Sequence, residues 1–370
     1  MAKSIAAERN ILVLQGGGAL GAYQAGAYQR LAHHGHEPEW VAGISIGAIN
    51  AAIICGNPPE NRVARLQAFW EGVTGDLIAI PWLAGAKSRQ WFNEFAANCA
   101  LLWGVPGFFT PRYPFMNYLA DSDVCSLSFY DTQPLRKTLE ALVDFDYLNG
   151  QGPRLSVGAV DIETGNFAYF DSEKERITVE HVMASGALPP GFPPVTIEGH
   201  AYWDGGLVSN TPLQYVLDTA SGDPVCIFQV DLFSARGNLP RNMAEVAQRE
   251  KDIRYSSRTR LTTDRYVHLH DIRAAAERLF AKLPKELRDD PDMTWLRNTG
   301  PDCPVTLVHL IHRKVEYEGQ SKDYEFSRLS MTEHWASGST DVDTTFSHNA
   351  WRHRQVAHDG LQVFDLGVQE

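Results

Sequence analysis

Ten residues into the chain, an apolar stretch runs into three consecutive glycines and then into a segment of small residues. The run reads ILVLQGGGALGAYQAG, from Ile11 to Gly26. A glycine-rich turn of this kind joins a buried strand to a helix whose N-terminus offers backbone N–H groups to an anion. The spacing Gly16-x-Gly18-x-x-Gly21 also matches the dinucleotide-binding fingerprint. The turn therefore constrains the chain to begin with a strand–turn–helix unit, and it raises the question of which anion is bound.

The rest of the chain continues the alternation of strand and helix that this unit begins. After a first strand at 11–15, strand patterns recur at residues 40–42, 155–161, 167–170, 225–230 and 304–310. Helical patterns lie between most of them, including residues 19–33, 46–55 and the charged region from 236 to about 297. Strands separated by helices favour a parallel sheet that is covered on both faces. The sequence therefore predicts an α/β fold, a three-layer α/β/α sandwich with a mainly parallel central sheet.

Composition divides the chain into a main domain and two additions. Residues 81–130 are rich in aromatic residues and interrupted by prolines, which predicts an insertion over one end of the sheet. Two interpretations of it remain open: a satellite core, or a cap that covers the substrate. The main domain is expected to span residues 1–320, with its motif-bearing core at 10–230. Residues 321–370 then form a C-terminal extension of unknown role, in a helical C-terminal region.

Charge and cysteine content narrow the class of protein. The 370 residues carry a formal net charge of −12, which argues against nucleic acid as a partner because phosphate binding needs clustered Lys and Arg. Five scattered cysteines without a C-x-x-C pair are typical of reduced thiols. There is no apolar leader before the first strand, and no apolar run is long enough to span a bilayer. We therefore expect a cytoplasmic protein that makes at most transient contact with a membrane surface.

The second predicted strand ends in a serine turn. Residues 43–47 read Gly-Ile-Ser-Ile-Gly, a G-x-S-x-G pattern between a short strand and a helix. On such a turn the serine backbone is strained and crowds its neighbours, so glycines are needed at Gly43 and Gly47. This context favours a nucleophilic Ser45 over an inert serine in a tight turn.

The serine turn changes the interpretation of the first glycine turn. A dinucleotide-binding fold would place Asp or Glu at the end of the second strand to bind the ribose, whereas Glu37 and Glu39 precede that strand. Next to a nucleophilic serine, the anion for backbone N–H groups is the oxyanion of a tetrahedral acyl intermediate. An oxyanion hole is therefore predicted at Gly16, Gly17 and Gly18, through the N–H groups of Gly17 and Gly18.

A nucleophilic serine needs a base, and the 13 histidines offer no compelling candidate. His309 and His312 are three residues apart on a predicted strand, so we expect them to point to opposite faces and not to form a metal pair. Segment 184–213 contains Asp204-Gly205-Gly206, a carboxylate on a glycine turn. From these residues alone, Asp-Gly-Gly is more typical of a turn than of a catalytic base.

Four separated motifs, taken in order, resemble those of the patatin-like phospholipases over roughly residues 10–230. They are the glycine turn, the serine turn, the stretch ALPPGFPPV at 187–195, and Asp204-Gly205-Gly206 followed by Asn210 and Pro212. The resemblance implies a serine lipid acyl hydrolase of phospholipase A or lysophospholipase type that acts on a lipid or acyl-ester substrate.

The resemblance also assigns roles to residues of this chain. It implies that Ser45 is the nucleophile and Asp204 the base of a Ser–Asp dyad, with Gly16–Gly18 in the oxyanion loop. It implies supporting roles for Gly43, Gly47, Gly205 and Gly206. It further implies a mechanism without histidine, metal or cofactor. With aspartate as the base, activity is expected to persist well below pH 6.5, about the ordinary pKa of histidine.

One position departs from the family pattern. Leu20 stands where Arg or Lys is common before the last glycine of the loop. The change leaves the backbone donors intact and bears only on the binding of a phosphate headgroup. An esterase or thioesterase that acts on soluble acyl groups with the same dyad therefore remains an alternative. Two further alternatives are a dinucleotide-binding oxidoreductase, which rests on the glycine turn alone, and a catalytically silent regulatory protein on the same scaffold.

Overall fold

The computed structural model describes residues 8–75, 85–112, 127–257, 259–284, 288–297, 303–313, 315, 317–357 and 360–366. The strands within these residues are β1 Arg9–Leu14, β2 Trp40–Gly43, β3 Thr110–Pro111, β4 Tyr130–Asp131, β5 Arg154–Asp161, β6 Phe167–Asp171, β7 Val195–Ile197, β8 His200–Asp204, β9 Val225–Asp231, β10 Val305–Ile311 and β11 Leu361–Phe364.

The helices within the same residues include the two that were predicted to follow the glycine and serine turns. They are α1 Gly21–His33, α2 Ile46–Cys55, α3 Pro59–Gly72, α4 Ala86–Trp103, α5 Gln133–Leu142, α6 Phe145–Gly150, α7 Val179–Ser185, α8 Leu213–Thr219, α9 Met243–Tyr255, α10 Thr259–Phe280, α11 Pro291–Arg297, α12 Arg328–Ser347 and α13 Asn349–Arg352. A 3-10 turn at Gly18–Leu20 precedes α1.

In the described part of the chain, nine strands form one sheet. Its order is β11-β10-β9-β1-β2-β5-β8-β7, and β6 pairs with β5. Every pair from β11 to β5 is parallel, whereas β6, β7 and β8 are antiparallel to their neighbours. The prediction of a mainly parallel central sheet is confirmed.

Successive side chains of a strand point to opposite faces of the sheet. Because β1 carries apolar side chains on both faces, helices pack against both. Leu12 and Leu14 of β1 belong to a large buried cluster that includes side chains of α1, α2 and α3. Ile11 and Val13 belong to a smaller cluster on the other face, together with side chains of α8. The three-layer α/β/α arrangement is therefore confirmed.

The C-terminal residues complete the sheet and one of its helical layers. β11 pairs in parallel with β10, and α12 packs directly against α1. The helices approach closely at two glycines: a Cβ on Gly26 would lie 1.9 Å from the carbonyl oxygen of Trp335, and one on Gly338 would lie 2.1 Å from that of Tyr23. Small residues on α1 thus allow a close helix contact.

The aromatic insertion joins the main core through its inner face. Phe108 and Phe109 are members of the large cluster and contact Phe192 and Phe326. They therefore do not form a separate satellite core. Residues 81–84 and 113–126 of the predicted insertion lie outside the described residues. None of the helices that the structure describes is long and apolar enough to cross a membrane.

Candidate active site

The glycine turn and the serine turn leave the sheet side by side. β1 and β2 are parallel neighbours, and Leu14 of β1 is in register with Gly43 of β2. Both strands therefore end at the same edge, where one runs into Gly16–Gly18 and the other into Ser45. This is the edge at which open α/β sheets bind their ligands.

Ser45 lies on a sharp turn at the start of α2. Its backbone has φ 56° and ψ −124°, in a region that residues with a side chain rarely adopt. The flanking glycines are needed because the backbone is crowded: a Cβ on Gly43 would lie 2.3 Å from the carbonyl oxygen of Gly47, and one on Gly47 would lie 2.4 Å from that of Leu14. The half-buried Ser45 side chain is thus held at the sheet edge by a strained backbone.

A second serine fixes the backbone of this turn. The Oγ of Ser185, at the end of α7, accepts a hydrogen bond of 3.0 Å from the Ser45 N–H and donates one of 2.7 Å to the carbonyl oxygen of Gly158 in β5. Ser185 is fully buried, so neither bond competes with water. The sequence analysis missed this residue, because a serine at the end of a helix belongs to no motif.

Asp204 reaches Ser45 from the antiparallel part of the sheet. Val157 of β5 pairs with Gly43, the last residue of β2, and β5 continues to Asp161 beyond that point. β8 pairs with this overhang and places Asp204 opposite Ala159. The Asp204 carboxylate accepts a hydrogen bond of 2.7 Å from the Gly206 N–H, and the Ser45 hydroxyl lies close enough to stabilise its charged form. The structure thus brings together the two residues that the sequence singled out.

Burial sets the acidity of Asp204. The residue is only 2% exposed, and this burial raises the pKa of its carboxyl from 3.8 to about 7, against the opposing effect of the hydrogen bonds from Ser45 and Gly206. A carboxylate with a pKa near 7 is far more basic than an ordinary aspartate. It can therefore accept a proton from a hydroxyl near neutral pH.

Among the described residues, no histidine is hydrogen-bonded to Ser45 or Asp204. The buried His181 accepts a hydrogen bond of 2.9 Å from the Thr178 N–H and so caps α7. The exposed His200, at the start of β8, lies beside Asp161. The sequence-based view that no histidine is a clear base thus agrees with the geometry of the described residues.

Asn210 ties the glycine turn to the loop that follows Asp204. Its side-chain amide donates hydrogen bonds to the carbonyl oxygens of Gly16, at 3.0 Å, and of Tyr255, at 2.9 Å. The backbone carbonyl oxygen of Asn210 accepts a hydrogen bond from the Gly16 N–H at 3.1 Å. A Cβ on Gly16 would lie 2.3 Å from Asn210 Oδ1 and 3.1 Å from the Ser45 Cβ, so only glycine fits between them.

The next two glycines carry free backbone N–H groups. Among the described residues, the N–H groups of Gly17 and Gly18 have no hydrogen-bond acceptor, whereas those of Gly16 and Ala19 bond to Asn210 and Asp323. Gly18 has φ +54°, and a Cβ there would lie 2.0 Å from the carbonyl oxygen of Asp323. The turn therefore offers two adjacent donors beside Ser45, the arrangement that an oxyanion requires.

A buried glutamine supports the turn from behind. The Oε1 of Gln15 accepts the N–H groups of Leu232, at 2.6 Å, and Phe233, at 2.9 Å, and its Nε2 donates to Thr211 at 2.9 Å. Gln24 of α1 donates to the Gln15 carbonyl oxygen at 2.6 Å. The only sequence signal for this residue was a single polar side chain at the end of an apolar strand.

Leu20, the departure from the family pattern, is fully buried in the main core. It contributes packing beneath the glycine turn and no charge.

This chain matches two protein-family models. A family model described as patatin-like phospholipase matches residues 12–217, and a second, described as patatin phospholipase, matches residues 253–358. No curated protein sequence matches the chain. Among solved structures, the crystal structure of VipD from Legionella pneumophila is similar at 15% identity and a TM-score of 0.37, covering 88% of this chain and 67% of that one.

Proposed function

This chain belongs to the patatin-like phospholipase family, and we propose that it cleaves fatty-acyl esters through Ser45 and Asp204. Membership of this family supports lipid acyl hydrolase activity in general. The observation that carries the proposal is the close approach of the Ser45 hydroxyl to the buried Asp204 carboxylate, whose charged form it stabilises. This pair of residues lies beside the backbone N–H groups of Gly17 and Gly18, which have no acceptor among the described residues. The combination supplies a nucleophile, a base and an oxyanion hole.

The proposed reaction has two halves. Asp204 takes the proton of the Ser45 hydroxyl while Oγ attacks the acyl carbonyl carbon, and the carbonyl oxygen becomes an oxyanion. As the intermediate collapses, the alcohol leaves with the proton from Asp204, and the acyl group stays on Ser45. A water molecule then gives its proton to Asp204 and attacks the acyl-enzyme. Collapse of the second intermediate returns the proton to Ser45 and releases the fatty acid.

The N–H groups of Gly17 and Gly18 are proposed to bind the oxyanion in both halves. One such donor contributes on the order of 3 kcal/mol to the stability of a transition state. Asn210 and Asp323 occupy the neighbouring donors, at Gly16 and Ala19, and hold the turn in place. The preorganisation of the donors therefore depends on residues far away in the sequence.

The pH profile should report the acidity of Asp204. Because burial raises its pKa to about 7, the carboxylate is lost as the pH falls below 7, and kcat/KM for a neutral ester should drop about tenfold per pH unit there. This raised pKa favours an acid limb at higher pH than the sequence-based expectation of activity well below pH 6.5, and the pH profile decides between the two. Measured for the wild type and for His200→Ala, the acid limb should be the same. A limb near pH 4 would show that the pKa of Asp204 is not raised, and a limb removed by substituting a single histidine would contradict the assignment of Asp204 as the base.

Exposed apolar side chains support a lipid rather than a fully soluble substrate. On α4, Trp91 is 70% exposed, and it lies on one face of the helix with the exposed Phe95 and Leu102, while Trp103 at the end of the helix is 78% exposed. Aromatic side chains on an amphipathic helix favour the membrane–water interface. We propose that this α4 face contacts the lipid surface transiently.

Two linkages connect α4 to the site. The hydroxyl of Tyr130 donates to the carbonyl oxygen of Leu101 at 2.9 Å, and the Tyr130 N–H donates to that of Gly191 at 2.9 Å. The same loop accepts the Asp204 N–H at Ala187, at 3.0 Å. The insertion thus lies against the loop that holds the proposed base, which supports the cap-like interpretation.

Removal of the α4 face should separate lipid binding from chemistry. In the double variant Trp91→Ala/Trp103→Ala, hydrolysis of vesicle phospholipid should fall about five- to tenfold, because less apolar surface enters the interface. The kcat/KM for a monomeric short-chain ester should be unchanged. Trp295→Ala, which truncates an exposed tryptophan on α11, serves as the matched control.

The same assays test the alternative, an esterase or thioesterase that acts on soluble acyl groups. Leu20 favours this alternative, because a buried and uncharged side chain offers no cation to a phosphate headgroup. Two results together would exclude the lipid substrate and favour the alternative. The wild type would turn over a monomeric acyl ester or thioester faster than a micellar phospholipid of equal chain length. The double variant would behave like the wild type in both assays.

A further inference from the structure

Three buried side chains from separate elements converge behind the glycine turn. His312 directly follows β10, Glu318 lies in the next loop, and His334 is on α12. All three are buried, at 2%, 4% and 5% exposure. None of the three residues belongs to the proposed dyad or to a motif from which catalysis was predicted.

The ligand atoms of this cluster are close enough to share one ion. His312 Nε2 lies 3.2 Å from each carboxylate oxygen of Glu318, and His334 Nε2 lies 2.8 Å from Oε1. One ligand atom from each residue can be chosen so that all lie within 4.8 Å of one another. In a tetrahedral zinc site with bonds of about 2.0–2.1 Å, neighbouring ligand atoms are roughly 3.3 Å apart. Two imidazole nitrogens and a two-oxygen carboxylate would supply four ligand atoms.

The buried carboxylate also lacks a fixed positive partner in the described part of the chain. Apart from the two histidines, Glu318 accepts a side-chain hydrogen bond from the Val315 N–H, at 3.3 Å. The nearby buried Lys322 is paired instead with Asp252, at 2.8 Å. A carboxylate taken out of water needs a compensating charge, and no Lys or Arg of the described residues pairs with Glu318. A divalent cation between the three side chains would provide it.

The donor set indicates which cation fits. Two imidazoles with one carboxylate suit zinc and neighbouring transition metals, whereas calcium and magnesium prefer oxygen ligands. We propose that His312, Glu318 and His334 bind one divalent transition-metal ion, with Zn²⁺ as the expected occupant. We expect a structural role for the ion, because all three side chains are buried and none belongs to the proposed dyad.

This metal site would fix the loop that supports the glycine turn. Five residues after Glu318, the carbonyl oxygen of Asp323 accepts the Ala19 N–H at 2.8 Å and lies against Gly18. His334 belongs to α12, which packs on α1 directly after the same turn. An ion bound by these three side chains would therefore link the end of β10, the loop and α12 behind the glycine turn.

The test is the metal content of the purified full-length chain. By inductively coupled plasma mass spectrometry, the wild type should contain about one Zn²⁺ per chain, and the metal-free protein should regain one on dialysis against ZnCl₂. Added Co²⁺ should give the visible absorption of a four-coordinate ion. Both measurements use the wild type and need no variant that might fail to fold.

Variants then locate the ion. Glu318→Gln and His334→Ala should lose stoichiometric Zn²⁺ and the Co²⁺ absorption. His309→Ala should keep both, because His309 is a similarly buried histidine of β10 that lies beside Asp231 instead and does not join the cluster. A wild type that binds neither ion would overturn the proposal and leave a hydrogen-bonded His–Glu–His cluster. Metal that survives in both variants would also overturn it, because the ion would then lie elsewhere.

Discussion

Replacing Ser45 with alanine is expected to reduce kcat/KM for a fatty-acyl ester by at least about 10³-fold. The substitution removes the only atom that can carry the acyl group in the proposed reaction. It leaves the backbone of the turn in place, because the Ser45 N–H still donates to Ser185. Hydrolysis of a monomeric p-nitrophenyl ester is the direct measurement.

Ser209→Ala is the matched control for this experiment. Ser209 lies five residues after Asp204, and among the described residues its hydroxyl donates only to the carbonyl oxygen of Thr211, at 3.3 Å. The control should retain wild-type turnover. A Ser45→Ala variant with more than about a tenth of wild-type activity would rule out Ser45 as the nucleophile.

The second large effect is expected for Asp204→Asn. The amide is nearly isosteric with the carboxylate but cannot accept the proton of Ser45, so kcat should fall by about 10³-fold or more. We expect this variant to be folded and more stable than the wild type, so that its loss of turnover cannot be assigned to unfolding.

The sign of this stability change follows from the raised pKa. Above pH 7 the Asp204 carboxylate is charged in both the folded and the unfolded chain, and burial of that charge destabilises the folded state. The shift from 3.8 to about 7 corresponds to up to about 4 kcal/mol, at about 1.4 kcal/mol per unit. At pH 8–9, Asp204→Asn should therefore raise the free energy of unfolding. The gain should shrink as the pH falls and vanish below about pH 4, where both states are protonated.

Asp231→Asn provides a close control. Asp231 is also buried, and burial raises its pKa to about 7, but its carboxylate accepts hydrogen bonds from Gln229 and from Ser257 and not from Ser45. Denaturant unfolding at pH 8.5 should show both variants stabilised, whereas only Asp204→Asn should lose turnover. Equal loss of activity in the two variants would mean that Asp204 acts through the fold and not as the base.

The parts of the fold that were predicted correctly are those with local signals. The strands around the sheet centre are short apolar runs, and α2 begins at a serine turn and ends before Gly56, so its predicted bounds agree with the structure. Gly43 and Gly47 were expected from the crowding at such a turn, and backbone atoms within 2.4 Å of their absent Cβ positions account for them. In these places a few neighbouring residues determine the backbone.

A helical C-terminal extension was predicted, but the bounds of α12 were not, because the buried face of this helix is unusual. The side chains that it buries include Ser330, His334, Gly338 and Thr345, so the helix lacks the apolar stripe that marks an amphipathic helix. Its packing depends on the close contact of Gly338 with α1, which no local pattern reveals. The extension predicted at 321–370 thus contributes a helix and an edge strand to the layers of the sandwich.

The supporting residues of the site were missed because their partners are distant in sequence. Ser185 acts on Ser45, 140 residues away, and Asn210 acts on Gly16, 194 residues away. The raised pKa of Asp204 has the same origin, since burial is a property of the folded chain. The dyad itself was assigned from the family resemblance, because the residues around Asp204 alone were more typical of a turn.

The central claim is that Ser45 is a nucleophile activated by Asp204, and labelling with a fluorophosphonate probe tests it most directly. The probe forms a covalent bond with an activated serine, and mass spectrometry of the digested protein identifies the modified residue. We expect a single label on Ser45 in the wild type and in Asp231→Asn, strongly reduced labelling in Asp204→Asn and none in Ser45→Ala. No labelling of the folded wild type, or labelling of another serine, would contradict it.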